Sequence, residues 1–131
     1  MENYVTYEQA QELRNIGFNH KCICCYDENI FEITPVCSDY NSPNYRWNLI
    51  SAPSLYEAQK WLREFKDIHI EIRYTINPHY EPWIGKVIRL DNDDFVLTDT
   101  CDTYEEALSE YIDKAIEIIK KKEKIKSWKI S

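Results

Sequence analysis

Three segments of this chain repeat one pattern: Thr6-Tyr7-Glu8-Gln9-Ala10, Ser54-Leu55-Tyr56-Glu57-Ala58 and Thr103-Tyr104-Glu105-Glu106-Ala107. In each, a hydroxyl residue is followed three positions later by Gln or Glu. That is the capping box: the hydroxyl accepts from a backbone N–H one turn in, and the long side chain returns to the cap's own N–H. Each copy predicts a helix start, so the 131 residues divide into helix-led segments.

The first helix is predicted to stop at Gly17, which tolerates the left-handed conformation just past a helix end, with Phe18 folding back on Leu13. The second repeats Leu55, Ala58, Leu62 and Phe65 at helical spacing, with Trp61 on the flank. The third carries a wider stripe: Tyr104, Ala107, Leu108, Tyr111, Ile112, Ala115, Ile116, Ile118 and Ile119. Between helices the period falls to two. Ile68, Ile70, Ile72, Tyr74 and Ile76 alternate with His69, Glu71, Arg73 and Thr75, which predicts a strand with one buried and one wet face. Further strands are expected over 22–26, 30–36, 46–50, 83–90 and 94–98, with a turn at Asp91-Asn92-Asp93. Pro35, Pro43, Pro53, Pro78 and Pro82 fall at strand ends and loops, where a missing N–H donor costs least.

The expectation is an α+β fold: a single domain, 1–131, of two α-β-β-β units, 6–53 and 54–102. A long C-terminal helix over 103–124 closes it, with antiparallel sheet packed on helices. The caps Thr6, Ser54 and Thr103 stand 48 and 49 residues apart. Internal duplication explains that spacing; convergence of good helices on good caps explains it equally.

The net charge of −7 conceals an asymmetry, because residues 114–131 hold seven lysines against Glu117 and Glu123, leaving −12 on residues 1–113. An acidic body repels phosphate backbones, which argues against a general binder of duplex nucleic acid. The α-β-β-β-α order of the second half is that of double-stranded RNA binding domains, but Glu105 and Glu106 stand where such a domain needs lysines. The basic tail from Lys120 to Lys129 reads in two ways. Its lysines complement the dipole at a helix end, or, with Trp128, they touch nucleic acid or membrane.

No apolar run approaches the roughly 18 residues that span a bilayer, and the acidic, polar start is unlike a signal peptide. The expected location is therefore a cytoplasm, with no membrane partner. There the five cysteines, Cys22, Cys24, Cys25, Cys37 and Cys101, are expected as free thiols.

Known chemistries find little support. Cys22, Cys24, Cys25 and Cys37 with His20 lack the second short-spaced pair of a zinc site, and small apolar core residues are the competing reading. A nucleophile paired from Cys101 or Cys25 with His69 or His79 needs a lowered thiol pKa, whereas Asp99, Asp102, Glu105 and Glu106 would raise that of Cys101. The acidic turn of Asp91, Asp93 and Asp94, with Asp99 and Asp102 beyond it, lacks the spacing of a calcium loop. With glycine only at Gly17 and Gly85 there is no phosphate-cradling glycine loop. No cofactor, metal or catalytic residue is assigned.

Two aromatic loops are the better candidates: Tyr40-Asn41-Ser42-Pro43-Asn44-Tyr45-Arg46-Trp47 and Asn77-Pro78-His79-Tyr80-Glu81-Pro82-Trp83. Flat rings beside cationic or titratable groups on proline-stiffened backbone suit stacking on bases or gripping a protein. Arg73 and Lys86 on neighbouring strands would add phosphate contacts. The expected ligand-binding set is Tyr45, Arg46, Trp47, Arg73, His79, Tyr80 and Trp83; the competing reading makes Trp47 and Trp83 core residues.

The runs Tyr7-Glu8-Gln9-Ala10 to Gly17-Phe18, Ser51-Ala52-Pro53-Ser54 to Trp61-Leu62-Arg63-Glu64 with Ile68-His69-Ile70-Glu71-Ile72, and Thr103-Tyr104-Glu105-Glu106-Ala107-Leu108 resemble a group of small phage and prophage proteins of Bacteroidota. The resemblance covers most of the chain but rests on helix-start and core patterns, and carries no catalytic residue. It implies an origin in phage accessory genes, where binding proteins that blunt host defence are common. The expectation is a non-enzymatic binding protein in the bacterial host cytoplasm, in its sharper form a counter-defence protein that sequesters a nucleotide-like small molecule at the aromatic loops. The alternative is a protein–protein inhibitor or assembly factor acting on a host or phage protein. A hydrolase or metalloprotein ranks below both, and a homo-oligomer is compatible with either leading reading.

Overall fold

The computed structural model describes residues 3–20, 24–27, 33–35, 49–76, 81–90, 95–97 and 100–130. Among them the elements run α1 (Tyr7–Asn15), β1 (Cys24–Asp27), β2 (Ile33–Pro35), β3 (Leu49–Ser51), α2 (Leu55–Lys66), β4 (Ile68–Tyr74), β5 (Trp83–Arg89), β6 (Phe95–Leu97) and α3 (Tyr104–Ile130). This is an α+β fold of two α-β-β-β runs followed by a long helix, as the caps and periodicities predict. The helix extends to Ile130, beyond the expected end at 124.

All three helix starts carry the cap hydroxyl bond. Thr6 Oγ1 accepts from the Gln9 N–H at 3.1 Å while Gln9 Oε1 accepts from the Thr6 N–H at 2.8 Å. Ser54 and Glu57 repeat the exchange at 3.1 and 3.2 Å, and Thr103 accepts from the Glu106 N–H at 3.0 Å. The stop of α1 is equally legible. Gly17 adopts φ 106°, the Phe18 N–H reaches the Leu13 carbonyl at 2.8 Å and the Gly17 N–H reaches that of Arg14 at 3.1 Å. These two bonds satisfy carbonyls the ending helix leaves without partners.

The chain divides into two compact units, residues 1–58 and 59–131, with the division inside α2. In the first, β1 lies between β2 and β3, antiparallel to both. Cys24 and Cys25 point to opposite faces, as successive strand residues must, and both are buried. The middle of this sheet is therefore covered on both sides. The N-terminal segment bridges to the residues before α2, with Tyr4 opposite Ser54 and the Val5 N–H on the Pro53 carbonyl at 3.1 Å. The Tyr26 hydroxyl donates to the Val5 carbonyl at 2.6 Å and its ring meets Tyr7 edge-on at 5.6 Å. Burial, then the Glu8 carboxylate, pushes the Tyr26 pKa up, so the phenol stays a donor.

In the second unit the strands lie in chain order, β4-β5-β6, all antiparallel. The left-handed turn into β4 is made by Asp67 at φ 55°, a residue type that tolerates this region better than most. α3 packs against β4 and β5, burying Ala107, Leu108, Tyr111, Ile112, Ala115, Ile116 and Ile119. A Cβ on Gly85 would stand 2.7 Å from Ile72 Cδ1, 2.8 Å from the Glu71 carbonyl and 2.9 Å from Tyr111 Cε2, so the sheet must be bare here for Tyr111 to seat.

Two apolar stripes end sooner than their periodicity predicts. In α2, Leu55, Ala58 and Leu62 are buried, but Phe65 is 56% exposed. Trp61, expected on the flank, is the buried ring instead, with Phe65 stacked on it at 6.2 Å and Lys66 Nζ 5.7 Å from its centroid. In β4, Ile68 and Ile70 are buried, whereas Tyr74 is 63% exposed, and Ile76, two residues past the strand, is 89% exposed. Periodicity shows which side of an element is apolar, but the extent of the partner decides where cover stops.

Candidate functional site

The register of β4 against β5 sorts their side chains into two faces. Ile70 opposite Val87, Ile72 opposite Gly85 and Tyr74 opposite Trp83 lie on the side packed by α3. His69 opposite Ile88, Glu71 opposite Lys86 and Arg73 opposite Ile84 lie on the other. Of the seven residues expected to bind a ligand, Arg73 and Trp83 are therefore on opposite faces of one sheet. Tyr45, Arg46, Trp47, His79 and Tyr80 lie outside the described residues.

Trp83 is half-buried, its ring between Tyr74 at 5.2 Å and Tyr104 at 5.4 Å, both edge-on. Its backbone exchanges hydrogen bonds with Cys101, at 3.1 Å from the Trp83 N–H and 2.8 Å from the Cys101 N–H. Trp83 thus joins the strand to the start of α3, and edge-to-face contacts of this kind add about 0.5–1.5 kcal/mol each beyond burial. The sequence names Trp83 but not Tyr74 or Tyr104 as its neighbours, because only the strand register brings these rings together.

On the opposite face Glu71, Arg73, Ile84, Gly85 and Lys86 line a shallow hollow of about 100 Å³. Arg73 Nε stands 3.5 Å from Glu71 Oε1, and the Arg73 side chain is mostly exposed. Arg73 and Lys86 do share one face, as the expected phosphate contacts require, but Glu71 shares it too. The one carboxylate offsets part of the local positive potential and holds the guanidinium near the hollow.

A wider hollow of about 370 Å³ is lined by Cys101, Glu106, Ser109, Glu110 and Asp113. The Cys101 thiol donates to Glu110 Oε2 at 2.9 Å. Burial first, then Glu110 through that bond and its charge, then Glu81 and Glu106, push the Cys101 pKa up to about 12. At neutral pH it is a protonated thiol and a poor nucleophile. The direction agrees with the expectation from its acidic neighbours in sequence. The principal partner, however, is Glu110, one turn further into α3, where no local spacing rule points. Three carboxylates also make this hollow repulsive to any phosphate.

Cys24 and Cys25 are buried thiols outside any disulfide, which fits the reading of cysteine as a small apolar core residue; Cys22 and Cys37 lie outside the described residues. Among the described residues no group of three or more His, Cys, Asp or Glu side chains is arranged to hold a metal ion. Among them, too, no helix is long and apolar enough to cross a membrane.

Comparison with known proteins adds no constraint: no family model, curated protein or solved structure matches this chain.

Proposed function

We propose that this chain is a non-enzymatic binding protein of phage type that acts in a host cytoplasm by holding a protein partner. The open face of β4 and β5 is its recognition surface. The observation that carries this reading is the hollow beside Glu71, Arg73, Ile84 and Lys86: at about 100 Å³ it suits one anchoring side chain, whereas pockets that enclose whole small molecules run to roughly 300–1,000 Å³. Two cations flanking a half-buried isoleucine suit an acidic residue with apolar neighbours on the partner. Capture from host lysate tests this. Wild-type protein should retain a specific partner that the Arg73→Ala, Lys86→Ala double variant loses; equal retention by both would remove this face from the account.

Sequestration of a nucleotide-like ligand is the second reading, favoured by the placement of Arg73 and Lys86 on one face. A single phosphate group suits the same small hollow. A genuine ligand at a hundredfold excess over its dissociation constant stabilises the folded state by about 2.7 kcal/mol, so a panel of nucleotides should raise the melting temperature. No shift with any of them would leave the protein-partner reading alone.

A further inference from the structure

We infer that the outer edge formed by the end of β4 and the two residues after it, Ile72 to Ile76, pairs antiparallel with the same edge of a second copy of this chain, about a two-fold axis at Tyr74. This goes beyond the proposed function, which uses the face of the sheet and not its edge.

β4 is an edge strand, with β5 as its one neighbour among the described residues. Hydrogen-bonded and open residues alternate along such a strand. The Thr75 N–H donates to the Pro82 carbonyl at 2.6 Å and the Asp67 carbonyl accepts from Leu90 at 2.8 Å, so odd-numbered residues face β5. Even-numbered ones turn their N–H and C=O outward. The edge is protected at one point, where Gln59 Nε2 donates to the Ile70 carbonyl at 2.8 Å. Beyond it, Ile72 and Tyr74 present outward backbone groups, with exposed Ile76 continuing the line.

The stretch Ile72-Arg73-Tyr74-Thr75-Ile76 has no proline and no lysine, and of the usual devices against edge pairing it carries a single charge, Arg73. Its one charge is already paired with Glu71 at 3.5 Å. The even side chains form an apolar row that runs past the cover of α3, and this uncovered end is the part that needs a partner.

Self-complementarity selects the occupant and the register. A two-fold axis at Tyr74 sets Tyr74 against its own copy and Ile72 against Ile76 twice, each pair exchanging backbone bonds, with Arg73 opposite Thr75. Aromatic and β-branched pairs of this kind stabilise antiparallel strands. An axis at Arg73 would set Arg73 against Arg73. An axis at Ile72 would set Tyr74 against Ile70, whose carbonyl Gln59 already occupies. The closed, isologous arrangement joins two sheets into one.

The test is the solution mass by light scattering, with amide exchange read on the same samples. Wild-type protein should rise with concentration from 15.8 kDa to twice that mass. Ile76→Lys should hold it at the single mass with unchanged circular dichroism, since this side chain is exposed and can be replaced without unfolding. The Tyr74 amide should exchange slowly in the wild-type dimer and fast in Ile76→Lys, while the Arg73 amide stays slow in both. A single mass up to millimolar concentration, or a dimer that survives both Ile76→Lys and Tyr74→Lys, overturns the inference. Capture of an extended peptide by monomeric protein at this edge does so as well.

Discussion

The two sheets share a plan, a capped helix followed by three strands, yet their strands lie in different orders. In the first unit β1, the first strand after its helix, is central; in the second unit the second strand, β5, is central. Connection length accounts for the difference. The chain between β2 and β3 spans residues 36–48, long enough for β3 to reach the free edge of β1. The chain between β5 and β6 spans only 90–94, and short antiparallel connections join neighbours. In the first sheet the central strand is covered on both faces at Cys24 and Cys25, whereas in the second the face that carries Glu71, Arg73 and Lys86 is not fully buried. Equivalent helix starts therefore do not make equivalent sheets.

The largest test concerns the core between the inner face of the second sheet and α3. Tyr111 is fully buried and its ring touches the space above Gly85. Tyr111→Ala should cost about 3–5 kcal/mol, as large aromatic deletions do, measured by urea denaturation. A loss below 1 kcal/mol would mean that α3 does not seat there.

A smaller effect sharpens what the units share. Thr6→Ala and Ser54→Ala each remove one cap of the same geometry, so each should cost about 1 kcal/mol. A marked inequality in the same unfolding experiment would show that the boxes, though alike in spacing, differ in support.

The smallest effect concerns Cys101. Its pKa is raised, so between pH 9, its ordinary value, and about 12 the folded state holds a proton that the unfolded state has lost. Stability is thus fully present below pH 9 and falls as pH rises through this window. Glu110→Gln removes the bonded carboxylate and should reduce the fall, and wild-type Cys101 should resist alkylation at pH 8. Rapid alkylation of folded protein there would contradict the assignment.

Much of this was legible from local rules. The caps, the stop at Gly17 and the strand that opens at Ile68 depend on neighbours a few residues away, and each appears as expected, although burial along that strand stops after Ile70. What was not legible depends on register and strand order. The ring cluster at Trp83, the pairing of Cys101 with Glu110 and the exposure of Phe65 all follow from which strand or helix lies opposite. The candidate site shows the same division. Arg73 and Trp83 are both strand residues, but only the pairing of Tyr74 with Trp83 puts them on opposite faces.

Strand order is the claim on which the open face and open edge depend, and close Hα–Hα contacts in a nuclear Overhauser experiment read it directly. The account predicts contacts between Cys25 and Ser51 in the first sheet, and between Ile72 and Gly85 and between Ile88 and Phe95 in the second. Contacts linking residues 33–35 to 49–51, or 68–74 to 95–97, would contradict it, the latter by placing β4 inside the sheet and closing the edge.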